Sequence, residues 1–114
     1  MKKALSAFAA LLLFICFSGH EAQAQAQTIM IHNNTGNTIV ELYASNADTN
    51  SWEEDVLGRD VLEAGDTLRL KLSRNYMVYD LMARFKNGDE HIYNDINVRR
   101  YSNIRLNRHD ADLY

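Results

Sequence analysis

The stretch TLRLKL, residues 67–72, places three leucines on one face of an extended chain and three polar side chains on the other. Successive side chains of a β-strand point to opposite faces, so this period of two predicts a strand with one buried face and one wet face. The longest segment with the same period is residues 76–85, where the apolar residues from Met77 to Phe85 alternate onto one side. We expect this segment to be the central strand.

Shorter segments with strand character recur about every ten residues. They are residues 28–33, 38–44, 91–98 and 103–107. We expect residues 33–37 to join the first two as a hairpin. Residues 86–89 contain an Asn-Gly pair, which tolerates the positive φ of a tight hairpin turn. The pattern predicts an all-β fold, a small antiparallel β-sandwich of about seven strands, with a frayed tail at residues 109–112.

One segment, residues 51–58, departs from the strand pattern. Ser51 stands three residues before Glu54, which is the spacing of a capping box at a helix start. Gly58 suits the left-handed exit of a helix. We therefore predict one short helical turn inserted into the sandwich.

The first 26 residues have the order of a secretory signal peptide. Two lysines precede an apolar run at residues 4–17, and a small-residue A-x-A pattern follows that ends at Ala24 or Ala26. The run is shorter than the roughly 20 residues that cross a bilayer. We predict that residues 1–26 are a cleaved signal peptide. Residues 27–114 would then form a single periplasmic or secreted domain without a stable membrane anchor.

The composition of residues 27–114 argues against some kinds of binding partner. They carry 10 Lys and Arg against 14 Asp and Glu, so the domain is mildly acidic. It lacks the clustered basic residues that binding to a phosphate backbone requires, which argues against a nucleic-acid partner. The only cysteine, Cys16, falls in the predicted signal peptide, so the exported domain would contain no disulfide.

An acidic segment offers a candidate metal site. Asp48, Glu53, Asp55 and Asp60 fall within a short loop and turn, where carboxylates could converge on Ca²⁺. The spacing differs from that of an EF-hand loop. Two other interpretations stay open: a metal-free structural loop, and a loop that binds some other partner.

Five short motifs resemble a known family. They are N-x-T-G at residues 33–36, I-x-x-x-Y-x-S at 39–45, W-x-x-D-x-L-G at 52–58, L-x-x-G at 62–65 and Y-D-L at 79–81. Together they are similar to a family of small exported bacterial β-sandwich proteins of unknown function. The resemblance implies a β-sandwich and export, and it implies no particular activity.

Catalytic signatures are weak in this sequence. The predicted mature chain has no cysteine and no Gly-x-Ser-x-Gly elbow, and the sequence pairs none of His32, His91 and His109 with a serine. We predict that the protein is not an enzyme but a binding or structural module of the cell envelope with an unidentified protein or envelope partner. The alternatives are a Ca²⁺-binding module that uses residues 46–60 and, more distantly, a small hydrolase.

Overall fold

The computed structural model describes residues 26–114, so residues 1–25 of the predicted signal peptide, Cys16 among them, lie outside the described residues. The described chain forms seven β-strands and no helix. The strands are β1 (Ala26–Asn33), β2 (Ile39–Asn46), β3 (Thr67–Ser73), β4 (Val78–Phe85), β5 (Glu90–Asn97), β6 (Asn103–Leu106) and β7 (Ala111–Leu113). Consequently, no helix within residues 26–114 is long and apolar enough to span a membrane.

The strands form two sheets, which confirms the all-β, two-layer prediction. One sheet has the order β3-β1-β6-β7 and the other the order β2-β4-β5. All pairs are antiparallel except β1 and β6, which are parallel. The chain reaches β6 by crossing from the other sheet rather than through a hairpin, so no tight turn imposes an antiparallel direction.

The core lies between the two sheets. Its fully buried aliphatic residues are Ile29, Ile31, Ile39, Leu42, Leu81, Ile104 and Leu106. In β3 the predicted alternation is confirmed, since Arg69 and Lys71 are exposed while Leu72 is buried. Burial of apolar surface stabilises the folded state by about 25 cal/mol per Å², so this shared core is the main source of the free energy that holds the two sheets together.

One of the two predicted hairpins is confirmed. Residues 86–89 connect β4 to β5, Gly88 has φ 96°, and the Phe85 amide donates to the Asp89 carbonyl at 2.8 Å. The hairpin predicted at residues 33–37 is wrong, because β1 and β2 belong to different sheets. The segment after β1 therefore crosses between the layers.

The helical turn predicted at residues 51–58 is also wrong. Asp55 instead forms an antiparallel bridge with Tyr43 on β2, and a second bridge joins Leu62 to Ile39. The physical reason is that β2 offers competing hydrogen-bond partners. The Asp55 carboxylate accepts from the Leu42 amide, and the Val56 amide donates to the Leu42 carbonyl, so these groups bind β2 instead of forming a helical turn. A turn does follow Asp55.

The tail predicted to fray at residues 109–112 is ordered by pairing. Ala111–Leu113 form β7 against β6, and Asn103 and Tyr114 exchange backbone hydrogen bonds of 2.8 and 3.0 Å. The expectation failed because a terminus joined to a sheet is fixed by its ladder.

Two buried tyrosines should make the stability of the fold decrease at alkaline pH. Tyr79 donates its hydroxyl to the Ser73 carbonyl at 3.2 Å and Tyr93 donates to the Asn107 carbonyl at 2.7 Å. Burial raises the pKa of each to about 12, above the unfolded value of about 10. The folded state thus holds these protons more tightly, so their contribution to stability is complete below pH 10 and is lost as the pH rises through 12.

We expect denaturant midpoints to fall above pH 10. Absorbance at 295 nm should show Tyr79 and Tyr93 ionising last among the six tyrosines of the chain. The double variant Tyr79→Phe, Tyr93→Phe should have a flatter stability profile above pH 10. An equally steep profile in that variant would contradict the assignment.

Candidate functional site

The four carboxylates predicted to bind Ca²⁺ lie in different local settings. Within the described part of the chain, no group of three or more His, Cys, Asp or Glu side chains is arranged to hold a metal ion. Asp48 follows β2 in a turn where its amide donates to the Asn46 side chain, and Asp60 closes the turn after Leu57. The structure does not bring the four together, and calcium binding stays a prediction.

Two residues of that set, Glu53 and Asp55, join the loop to β2. Asp55 Oδ1 accepts hydrogen bonds from the amides of Leu42 at 2.9 Å and Leu57 at 3.0 Å. The Glu53 amide donates to Ser45 Oγ at 3.2 Å. These contacts attach residues 53–57 to the outer edge of β2, which favours the metal-free structural interpretation of the loop.

The free edges of the two sheets are the next place to look, because an edge strand presents unpaired backbone groups. The β2 edge is bridged by Asp55 and Leu62 of its own chain. At β3, exposed Arg69 and Lys71 occupy the edge strand, and Glu53, Glu54 and Val56 border the same strand across a groove. Lysine and arginine on an edge discourage pairing with another strand.

The β5 edge is different. β5 has eight residues, and within residues 26–114 β4 is the only strand beside it. Ile92, in the middle of β5, is 47% exposed. The period of two along residues 91–98 predicts that Ile92, Ile96 and Val98 share one face. A register shift in the β4–β5 ladder separates them, so that Tyr93 and Ile96 are buried instead.

The shift has a local cause. Asp95 has φ 59°, a left-handed conformation that Asp tolerates better than most residues, and its amide donates to Asp80 Oδ1 at 2.8 Å. A β-bulge of this kind inserts an extra residue and turns the following side chains to the other face. Asp80, facing β5 from β4, thus supports the bulge.

A side groove runs between β5 and β7, the edge strands of the two sheets. Its volume is about 240 Å³, and its lining includes Ile92, Asn94, Ile96, Asp110, Ala111 and Leu113. Ile96 is buried at its floor, and Ile92 is exposed at its rim. The side groove therefore combines an apolar lining with a free strand edge.

An end cleft of about 410 Å³ adjoins the side groove, with His109 lining both. The remaining polar lining of the end cleft includes Asn37, Asp89, Glu90, His91 and Arg108. His91 Nε2 lies 3.1 Å from the His109 carbonyl oxygen, and the two imidazole centroids are 6.1 Å apart. This contact connects β5 to the segment before β7.

Acidic side chains dominate the charge at these two depressions. Three carboxylates, Asp89, Glu90 and Asp110, line them against one guanidinium, Arg108. Arg84 lies beside them but is shared, since it contacts Glu90 at 2.6 Å and Glu41 at 3.1 Å. When Arg84 and Glu41 are counted as well, the carboxylates still outnumber the guanidinium groups, so the surface attracts positive charge.

His32 is the other histidine with notable partners. Its Nδ1 lies 2.9 Å from Thr67 Oγ1, and its Nε2 lies 3.0 Å from Asn103 Oδ1. The three residues stand on adjacent strands β3, β1 and β6. A hydroxyl, an imidazole and an amide in this order resemble a nucleophilic arrangement, but none of them lines the side groove or the end cleft.

Sequence reasoning had missed the groove. Its residues come from β5 and from a tail that was expected to fray, and the bulge reversed the predicted facing of Ile92. Comparison of the chain with protein-family models, with curated proteins and with solved structures finds no match.

Proposed function

We propose that this protein is an exported, non-catalytic binding module of the cell envelope, and that it binds a protein partner at the β5 edge through the side groove and the end cleft. The observation that carries the proposal is Ile92, a large apolar side chain 47% exposed on an edge strand with one neighbour in the described chain. An exposed apolar side chain on an unprotected strand edge favours pairing with another chain, and natural proteins usually protect such edges.

The contrast with the other long edges supports this choice. The β2 edge is bridged by Asp55 and Leu62, and β3 carries exposed Arg69 and Lys71. Both devices protect an edge against unwanted pairing. Residues 90–94 of β5, which precede the bulge at Asp95, carry neither a bridging segment nor a lysine or arginine, so they form the edge best suited to a partner.

The histidine contacts support a non-catalytic role. His91 Nε2 lies next to a backbone carbonyl rather than a nucleophilic side chain. The Thr67, His32 and Asn103 arrangement lines neither depression, and the Tyr114 ring stacks on His32 with the ring centroids 6.1 Å apart. Export is proposed on the sequence of residues 1–26 alone.

Site-specific photo-crosslinking tests the binding surface. The photoreactive residue para-benzoylphenylalanine would replace Ile92 in the full chain, expressed in the protein's own host cells. Val61 is the matched control, because it is an aliphatic residue with 46% exposure on a different part of the surface. We expect a discrete covalent adduct from position 92 and none from position 61.

Two outcomes would overturn the assignment of this surface. One is the absence of an adduct at position 92 after irradiation of cells that contain the folded protein. The other is the same set of adducts from positions 92 and 61, which would indicate random collision. Circular dichroism of each purified variant verifies that the replacement leaves the β-sheet signal intact.

A further inference from the structure

We propose that the partner docks as an extended segment that adds a strand to β5, with lysine or arginine alternating with apolar residues. The inference rests on the proposed function, since it specifies what kind of segment the β5 edge binds. Strand addition of this type obtains affinity from main-chain hydrogen bonds and specificity from alternate side chains.

The backbone of β5 supplies the template. With β4 on one side, half of the N–H and C=O groups of an edge strand face away from the sheet. The bulge at Asp95 sets a limit, because a left-handed residue disrupts the regular spacing of these groups. The usable edge is therefore residues 90–94, which accommodates a segment of about five residues.

Alternation follows from the two environments beside that edge. Side chains of an added strand that point inward meet the side groove, where Ile96, Ala111 and Leu113 offer apolar contacts. Side chains that point outward lie beside Glu90, Ile92 and Asn94 on the exposed face of the sheet. The inward positions thus favour apolar residues, and the outward position beside Glu90 favours a polar one.

Charge selects the sign of the polar residues in the added strand. Among the residues that line the two depressions, the carboxylates of Asp89, Glu90 and Asp110 outnumber the one guanidinium, Arg108. Arg84 lies nearby but is shared with Glu41. A cationic segment gains from this field, while an anionic one is repelled. Charge complementarity therefore favours lysine or arginine.

A second copy of this chain fits less well. Its β3 has the required alternation, but β3 is paired with β1, and Glu53, Glu54 and Val56 border it across a groove. An antiparallel pairing of two β5 edges centred on Ile92 would place Glu90 of each copy opposite Asn94 of the other, which gives Glu90 no cationic partner. A segment of a different protein avoids both obstacles.

Two synthetic peptides test the inference. The cationic probe is acetyl-TVKVRVS-amide and the anionic control is acetyl-TVEVEVS-amide, neither of which reproduces a strand of this chain. Each is titrated into the isotope-labelled protein, purified after expression of the full chain, while backbone amide shifts are recorded. We expect the cationic probe to shift the amides of residues 90–94 and 111–113 and to bind about tenfold more tightly than the control. Raising NaCl from about 0.05 M to about 0.5 M should weaken its binding.

Matched variants locate the effect. Glu90→Lys should weaken binding of the cationic probe and improve binding of the anionic one, whereas Lys71→Glu on β3 should change neither. Equal affinity of the two peptides, or shifts confined to residues outside β5 and β7, would overturn the inference. Concentration-dependent dimerisation through residues 90–94 without peptide would overturn it in favour of a second copy. An adduct at position 92 combined with equal peptide affinities would refute only the cationic strand, since the binding surface itself would stand.

Discussion

Replacing Asn33 by aspartate is expected to destabilise the domain by about 3 to 5 kcal/mol. Asn33 is 1% exposed at the end of β1, and its amide nitrogen donates to the carbonyls of Asn37 and Leu62 at 2.8 Å each. Its Oδ1 accepts from the amide and the hydroxyl of Thr35 at 3.1 and 2.7 Å. Asn33→Asp removes both donors and buries a negative charge against two carbonyl oxygens.

The pH dependence of this variant has a definite sign. Burial raises the pKa of the introduced carboxyl above its unfolded value of about 3.9, so the folded state favours the protonated form. The loss of stability should be largest near pH 7 and should shrink as the pH falls toward 4, where a protonated carboxyl can donate one hydrogen bond again. Urea unfolding at several pH values measures it.

Asn34→Asp is the matched control. Asn34 is the next residue, it is exposed, and its side chain donates to Asn107 Oδ1 at 2.7 Å on the surface. We expect a change below about 1 kcal/mol, because water can replace the surface contact. Equal losses for the two variants would contradict the role assigned to Asn33, and a pH-independent loss for Asn33→Asp would contradict burial of the charge.

The sequence predicts the layers of the fold better than its connections. Period two identified β3 and the core face of β4, because burial on one face leaves a signal in every second residue. The Asn33 network carries no such signal. An Asn-x-Thr-Gly stretch indicates a turn, but the partner that decides its direction is the Leu62 carbonyl, far along the chain. Sequence spacing therefore suggested a hairpin where the chain crosses between sheets.

The same limit explains the missed groove. The facing of Ile92 depends on the bulge at Asp95, and the bulge depends on a hydrogen bond from its amide to Asp80 of β4. The local pattern assumes that side chains alternate without interruption along a strand, so it predicted Ile92 and Ile96 on the same face. The acidic segment was recognised from composition, but composition does not distinguish a carboxylate that binds a metal from one that accepts backbone amides.

Asp55→Ala is expected to destabilise the domain by about 2 to 3 kcal/mol, which lowers Tm by roughly 8 to 24 °C in a domain of this size. Asp55 Oδ1 accepts the amides of Leu42 and Leu57, and the Val56 amide donates to the Leu42 carbonyl at 2.7 Å. The segment thus completes the hydrogen bonds of an edge strand. Amide exchange at Leu42 should accelerate in the variant, which differential scanning calorimetry alone would not reveal.

The control and the metal test use the same melting experiment. Glu54→Ala, at an exposed neighbour, should change stability by less than about 0.5 kcal/mol. For the wild type we expect coincident melts in EDTA and in CaCl₂, because Asp55 Oδ1 is already engaged by two amides and the four acidic residues do not converge. A ligand at 100 times its dissociation constant adds about 2.7 kcal/mol. A rise of that size in CaCl₂, abolished by Asp55→Asn, would make residues 46–60 a calcium site, since the amide retains an oxygen acceptor for Leu42 while lowering affinity for a cation.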